Sequence, residues 1–284
     1  MNKLRIARVS AVGMLVLLSA AVAAPEKPGV RQVEIIGDDY AFIGPRELAP
    51  GPADFRFINR GKVRHELNIS LLKAGVTPEQ FMAALWEGKP VSPMRDGSVG
   101  VLFAKAGRRT GAGLETDLKP GRDYMIICIF RDSAGSKRHH ELGMYSVIHV
   151  AGGASPRPVA QRVDTIIGTD YAFQYDRVLR PGPHTFEFVN RGKQRHEVTF
   201  ALLKRGATAQ RVMDADKAGE KVGPLLEERF GLLLSLGGEP ALGRLKLDLA
   251  AGREYMIECS FKDTDSAPPH YEMGMYGSIK VARK

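Results

Sequence analysis

Apolar and polar residues alternate along Phe55-Arg56-Phe57-Ile58-Asn59 and again along Phe186-Glu187-Phe188-Val189-Asn190, the period-two pattern of strands with one buried face. A turn precedes each, Pro50-Gly51-Pro52 and Pro181-Gly182-Pro183. His65 to Leu71 and His196 to Leu202 read as the next strand, and Tyr124 to Phe130 and Tyr255 to Phe261 as another. Tyr145 to Val150 and Tyr276 to Val281 read as the last strand of each series. Between the second and third strands the period changes. Thr77-Pro78-Glu79-Gln80 is a capping box with proline at the first helical position. Phe81, Met82, Leu85 and Trp86 follow at helical spacing and are assigned to packing. In the second series the run Leu225 to Leu236 is the stronger helix candidate.

The chain is written twice. Tyr40-Ala41-Phe42 returns as Tyr171-Ala172-Phe173, Asn59-Arg60-Gly61-Lys62 as Asn190-Arg191-Gly192-Lys193, and Gly143-Met144-Tyr145 as Gly274-Met275-Tyr276, always 131 residues on. Two copies of this size make a tandem domain pair and not a solenoid. The expected domains are 30–151 and 161–284, joined by 152–160, where Gly152-Gly153 and Pro156-Arg157-Pro158 have linker chemistry. The expected fold is all-β: two tandem Greek-key β-sandwiches, each with a short helical insert.

Lys3, Arg5 and Arg8 precede an uncharged run that ends in Ala21-Val22-Ala23. This is the pattern of a secretory signal peptide over 1–23, and it predicts a periplasmic protein without a membrane span in the mature chain. The 284 residues, with 44% hydrophobic and 26% charged, suit a globular protein and exclude a collagen, a coiled coil or a disordered tail. The formal charge of +9 includes three leader charges, and the remainder does not cluster as a nucleic-acid patch. Two cysteines exclude a disulfide-dense scaffold, a four-cysteine zinc site and an iron–sulfur cluster.

Most repeated residues are those of turns and cores. Four repeated positions are not: His65/His196, Cys128/Cys259, His139/His270 and Met144/Met275. A thiolate, two imidazoles and a thioether are the donors of trigonal copper sites, in which the soft sulfurs favour Cu(I) and imidazole accommodates Cu(II).

The order of these residues resembles that of cupredoxins, the plastocyanin and azurin family. Asn59-x-Gly61-x-x-x-His65 is similar to the first ligand and its preceding turn. Tyr124-x-x-x-Cys128, then His139 and Gly143-Met144, is similar to the closing ligand loop, and Asn190, Gly192, His196, Tyr255, Cys259, His270 and Met275 repeat it. The resemblance covers almost the whole chain after the leader. It implies a blue, type 1-like copper in each domain, up to two in all, and single-electron transfer with a redox partner protein. One feature departs from the family: ten residues separate Cys128 from His139, and Cys259 from His270, where small blue proteins have only a few. His140 stands beside His139 as an alternative, but the second copy has Tyr271 there.

Other readings stay open. Exported cysteines usually pair, although each of these lies in a different domain. The domains are also compatible with copper storage, delivery to a copper acceptor or sensing, for which Met125, Met256 and Met273 would suit Cu(I), and with a fold that has lost copper. Glu66 and Glu197 either orient an imidazole or face solvent, and His149 and His184 are read as surface residues. Neither cysteine has a histidine neighbour and no His-x-His occurs, so the expectation is that the chain is not an enzyme.

Overall fold

The structure, a computed structural model, describes residues 29–156 and 161–284. The expected leader, 1–23, and part of the expected join, 157–160, lie outside them. The first half supplies β1 (Arg31–Asp38), β2 (Ala41–Ile43), β3 (Glu47–Leu48), β4 (Gly51–Asn59), β5 (His65–Leu72), β6 (Arg95–Ala104), β7 (Arg109–Leu118), β8 (Asp123–Ile127) and β9 (Tyr145–Val150). The second half repeats them as β10 (Asp164–Thr169), β11 (Ala172–Gln174), β12 (Val178–Leu179), β13 (Gly182–Asn190), β14 (His196–Leu203), β15 (Leu226–Ser235), β16 (Gly243–Leu249), β17 (Glu254–Glu258) and β18 (Tyr276–Val281). The expected all-β architecture of two tandem sandwiches is the one observed.

Helix α1 (Pro78–Trp86) begins where the capping box places it: the Thr77 hydroxyl accepts from the Gln80 N–H, and the Gln80 side chain accepts from the Thr77 N–H. Its Phe81 and Met82 are buried, whereas Trp86 is half exposed and lies edge-on to Tyr145. The second half departs from expectation. Its helix α2 is Ala209–Lys217, capped by Thr208, and the run expected to be helical is strand β15. The physical reason is burial on both faces. β15 lies between β14 and β6 in the middle of a sheet, and every residue from Phe230 to Ser235 is buried, so that stretch cannot be told from a buried helix by periodicity. Strands β6 and β7, consecutive in the chain but in different sheets, were not anticipated either, and β8 ends at Ile127, one residue before the cysteine.

The two halves share their sheets. One sheet runs β11-β10-β13-β16-β7-β4-β1-β2 and the other β12-β18-β17-β14-β15-β6-β5-β8-β9-β3. At both joins the strands are antiparallel and equivalent residues meet: Val101 pairs with Leu232, and Leu114 with Leu245. A pseudo-twofold axis therefore passes through those two pairs. One apolar core continues across the seam, with Leu102, Leu114, Leu233 and Leu245 wholly buried in it.

The seam requires glycine. A Cβ on Gly231 would stand 2.2 Å from the Val101 carbonyl oxygen, a backbone atom that cannot swing aside. Gly231→Val is expected to destabilise the protein by about 1–3 kcal/mol, the usual cost of overpacking, read as a lower urea midpoint. A wild-type midpoint would show that the halves do not meet this closely.

Candidate metal centres

Each half brings its first histidine, its cysteine and its second histidine into one buried group, with donor atoms within 4.8 Å of one another. His65 opens β5, Cys128 follows the last residue of β8, and His139 opens a single 3-10 turn, His139–Leu142. His65 Nδ1 lies 3.0 Å from His139 Nδ1, and Cys128 Sγ lies 4.0 and 3.4 Å from them. In the second half the same distances are 2.9, 3.9 and 3.4 Å. Met144 and Met275 are wholly buried one residue beyond that turn's closing glycine. The Met144 methyl group lies where a Cβ on Gly37 of β1 would meet it at 3.2 Å.

The long loop between cysteine and second histidine returns as a hairpin. Its ends are fastened by His139 N–H to Phe130 O, His140 N–H to Cys128 O, Met144 N–H to His139 O and Cys128 N–H to Met144 O, all between 2.9 and 3.1 Å. The second loop is fastened by the equivalent four bonds. The ten intervening residues thus leave both groups compact. His140 is buried, but it is His139 that joins the group.

The turn before the first histidine is clamped by one side chain. Asn59 accepts from the Gly61 N–H and donates to Val63 O and Ala104 O, and Asn190 makes the same three bonds. Gly61 is glycine because a Cβ there would strike Asp39 Oδ1 at 2.4 Å and His65 Nε2 at 2.8 Å. Gly192 stands in the same relation to Asp170 and His196.

Four carboxylates that sequence reasoning did not connect to the sites face the outer ring nitrogens. His139 Nε2 is 3.0 Å from Asp132 Oδ1, and His270 Nε2 is 3.1 Å from Asp263 Oδ1. His65 Nε2 is 3.7 Å from Asp39, and His196 Nε2 is 3.2 Å from Asp170. Asp39/Asp170 and Asp132/Asp263 also obey the 131-residue offset, which is the signal that would have found them. An ionised carboxylate only accepts, so Nε2 of His139, His196 and His270, each within hydrogen-bond distance of one, is assigned the proton, whereas His65 Nε2 has no hydrogen-bond partner. The Nδ1 atoms of each pair face each other and the sulfur.

The cysteines are not paired with each other: both are free and buried. Each sulfur accepts a backbone N–H at 3.4 Å, from Glu66 and from Glu197. Glu66 is buried and not solvent-facing; its carboxylate accepts from the Ile129 N–H, and Ser260 bonds Glu197 in the second half. His149 is exposed as expected, but His184 is largely covered and pairs with Asp164 at 2.7 Å.

The two groups lie on opposite sides of the axis. His65 pairs with Ala104 on β6 and His196 with Ser235 on β15. A rise of about 3.3 Å per residue and a strand spacing of about 4.8 Å put them roughly 25 Å apart.

Donor chemistry suits copper. Two imidazoles and a sulfur converge in a buried site, and burial lowers the affinity of His65 and His196 for protons. Burial, and then the Glu66 carboxylate, push the Cys128 thiol up to about 12; burial likewise pushes Cys259 up to about 12. The copper-free thiols therefore carry protons at neutral pH, and a metal must displace them. Loading at pH 7 is expected to release about one proton per metal, with affinity rising as pH rises. Indicator-dye titration in weak buffer measures this, and metal uptake without proton release would contradict it.

No family model matches the chain, and no curated protein does. Solved structures match it at the level of fold. A dithionite-reduced auracyanin from Roseiflexus castenholzii is 20% identical, with 44% of this chain and 99% of that one covered and a TM-score of 0.28. A blue copper oxidase from Nitrosomonas europaea is 11% identical, with 89% and 86% covered and a TM-score of 0.25. A multi-copper oxidase from Pediococcus acidilactici is 12% identical, with 91% and 60% covered and a TM-score of 0.24. The expectation that the chain is not an enzyme is corrected here. The solved structures that cover most of the chain are multicopper oxidases, at low identity. The strand arrangement and the two buried groups identify a cupredoxin-like fold written twice, with one candidate copper centre in each copy.

Proposed function

We propose that the protein is an exported copper protein that passes single electrons. In this reading His65, Cys128 and His139 hold one copper, with Met144 as a weak thioether donor, and His196, Cys259, His270 and Met275 do the same for the second. The observation that supports it is the pair of facing Nδ1 atoms, 3.0 and 2.9 Å apart in the two halves, with the cysteine sulfur 3.4 to 4.0 Å from them. Two nitrogens held that close share a proton or a metal ion, and the sulfur beside them suits the metal. Bound copper supplies a one-electron couple between Cu(II) and Cu(I). The chain's own part is to fix both imidazoles, exclude water and give the sulfur a backbone hydrogen bond.

Purified mature protein loaded with Cu(II) is expected to hold two coppers and to show an intense thiolate-to-copper absorption band. Cys128→Ser and Cys259→Ser are each expected to lose one copper and about half of the band. Reduction and reoxidation should leave copper in place. Copper that leaves on reduction and passes to an apo acceptor would favour delivery over electron transfer, and oxygen consumption with a reducing substrate would make the chain an oxidase. A colourless protein without copper would refute the reading.

Export rests on Lys3, Arg5, Arg8 and the apolar run to Ala23. No helix of the described residues is long and apolar enough to cross a membrane. N-terminal sequencing of the protein from the periplasm is expected to begin at Ala24, and a retained leader would contradict export by this route.

A further inference from the structure

The turn between β1 and β2 is only two residues long, Asp39-Tyr40, with Asp38 paired to Ala41 on either side of it. Tyr40 holds a left-handed backbone, φ 64°, and its equivalent Tyr171 holds φ 69°. Among the described residues these are the only non-glycine positions with positive φ. Glycine or asparagine would satisfy such a turn without strain. A bulky side chain held there in both copies points to a use for that side chain.

Geometry shows what the turn reaches. Its first residue, Asp39, faces His65 Nε2 at 3.7 Å and accepts the Lys62 N–H at 2.7 Å. Its second, Tyr40, donates its hydroxyl to Asp132 Oδ2 at 2.6 Å, while Asp132 Oδ1 faces His139. The Tyr40 ring stands edge-on to the His139 ring, centroids 5.1 Å apart, and 6.4 Å from that of His65. The second copy repeats each contact. Asp170 faces His196, Tyr171 donates to Asp263 Oδ2 at 2.9 Å, and Asp263 Oδ1 faces His270. The Tyr171 ring stands 5.0 Å from that of His270.

We infer that the Asp39-Tyr40 turn and Asp132, with Asp170-Tyr171 and Asp263 in the second half, are positioning residues that set both the affinity and the reduction potential of the copper centres. This rests on the copper reading above. One turn steadies both imidazoles: one directly through its carboxylate, the other through the tyrosine that orients a second carboxylate. The three contacts within hydrogen-bond distance, at His139, His196 and His270, fix the proton on Nε2 and so commit Nδ1 to the metal, while Asp39 acts on His65 through its charge at 3.7 Å. The two carboxylates also place negative charge just beyond the ligands. The oxidised ion is the more positive, so that charge favours it and lowers the potential.

Substitutions in the Cys259→Ser background isolate the first centre. Asp132→Asn and Asp39→Asn keep the side-chain shape and remove the charge, and each is expected to raise the reduction potential with copper retained. Tyr40→Phe, which frees Asp132, is expected to weaken copper binding ten- to a hundred-fold. Tyr40→Gly relieves the backbone. It is expected to weaken copper binding as much as Tyr40→Phe does, yet leave the melting temperature of the copper-free protein unchanged or higher. If Cys259→Ser protein binds copper but the potentials and affinities of these variants match it, the turn has no positioning role and the copper reading survives. A Cys259→Ser protein that binds no copper overturns the copper reading and this inference together.

Discussion

Two imidazole nitrogens held face to face at 3.0 Å are the constraint on which the rest of each half depends. Nothing in the backbone of β5 or of the turn at His139 makes that approach favourable. It is imposed from outside the rings, by carboxylates on Nε2, and from below, by a loop whose ends are bonded to Cys128 and Met144. The fold thus concentrates its conformational constraint at one end of each sandwich. The strained Tyr40, the clamp by Asn59 and the glycine at position 61 all lie within one shell of the same few atoms. Local strain at such a place is a usual mark of function.

The second constraint is the seam. Two half-sandwiches with open edges would each present unpaired backbone, a hazard for aggregation. Here β6 covers the edge of β15, and β7 that of β16, so each half closes the other. Helix α1 and helix α2 lie away from this contact, packed with their own small clusters of buried residues. The copies diverge around these helices as well as in the core, where Ile69 stands opposite Phe200 and Ile127 opposite Glu258. Trp86 stands where the second half has Lys217, and His140 where it has Tyr271 bonded to Asp216.

Much of this was legible in the sequence because the chain repeats itself. Chance does not place a cysteine, two histidines and a methionine twice at one offset; all eight residues are buried, and the six histidines and cysteines converge in two groups. What was illegible had two physical causes. In the run Leu226–Ser235 every residue from Phe230 on is buried, because the strand has sheet neighbours on both sides and packing on both faces, and no period survives such burial. Asp39 and Asp132 are acids in loops, a type and place that ordinarily mean only solvent; their return 131 residues on marks them as repeated, but only a distance across the fold ties them to the histidines. His140 showed the reverse. It had the right chemistry one residue away, and the bond from its N–H to Cys128 O directs the neighbouring ring, not its own, to the sulfur.

The pseudo-twofold axis also makes the two centres alike in their surroundings. Centres related by that axis lie on opposite sides of the seam, each beneath its own loop, with the shared sheets between them. Whatever approaches one centre therefore meets the same tyrosine turn and the same pair of carboxylates as at the other.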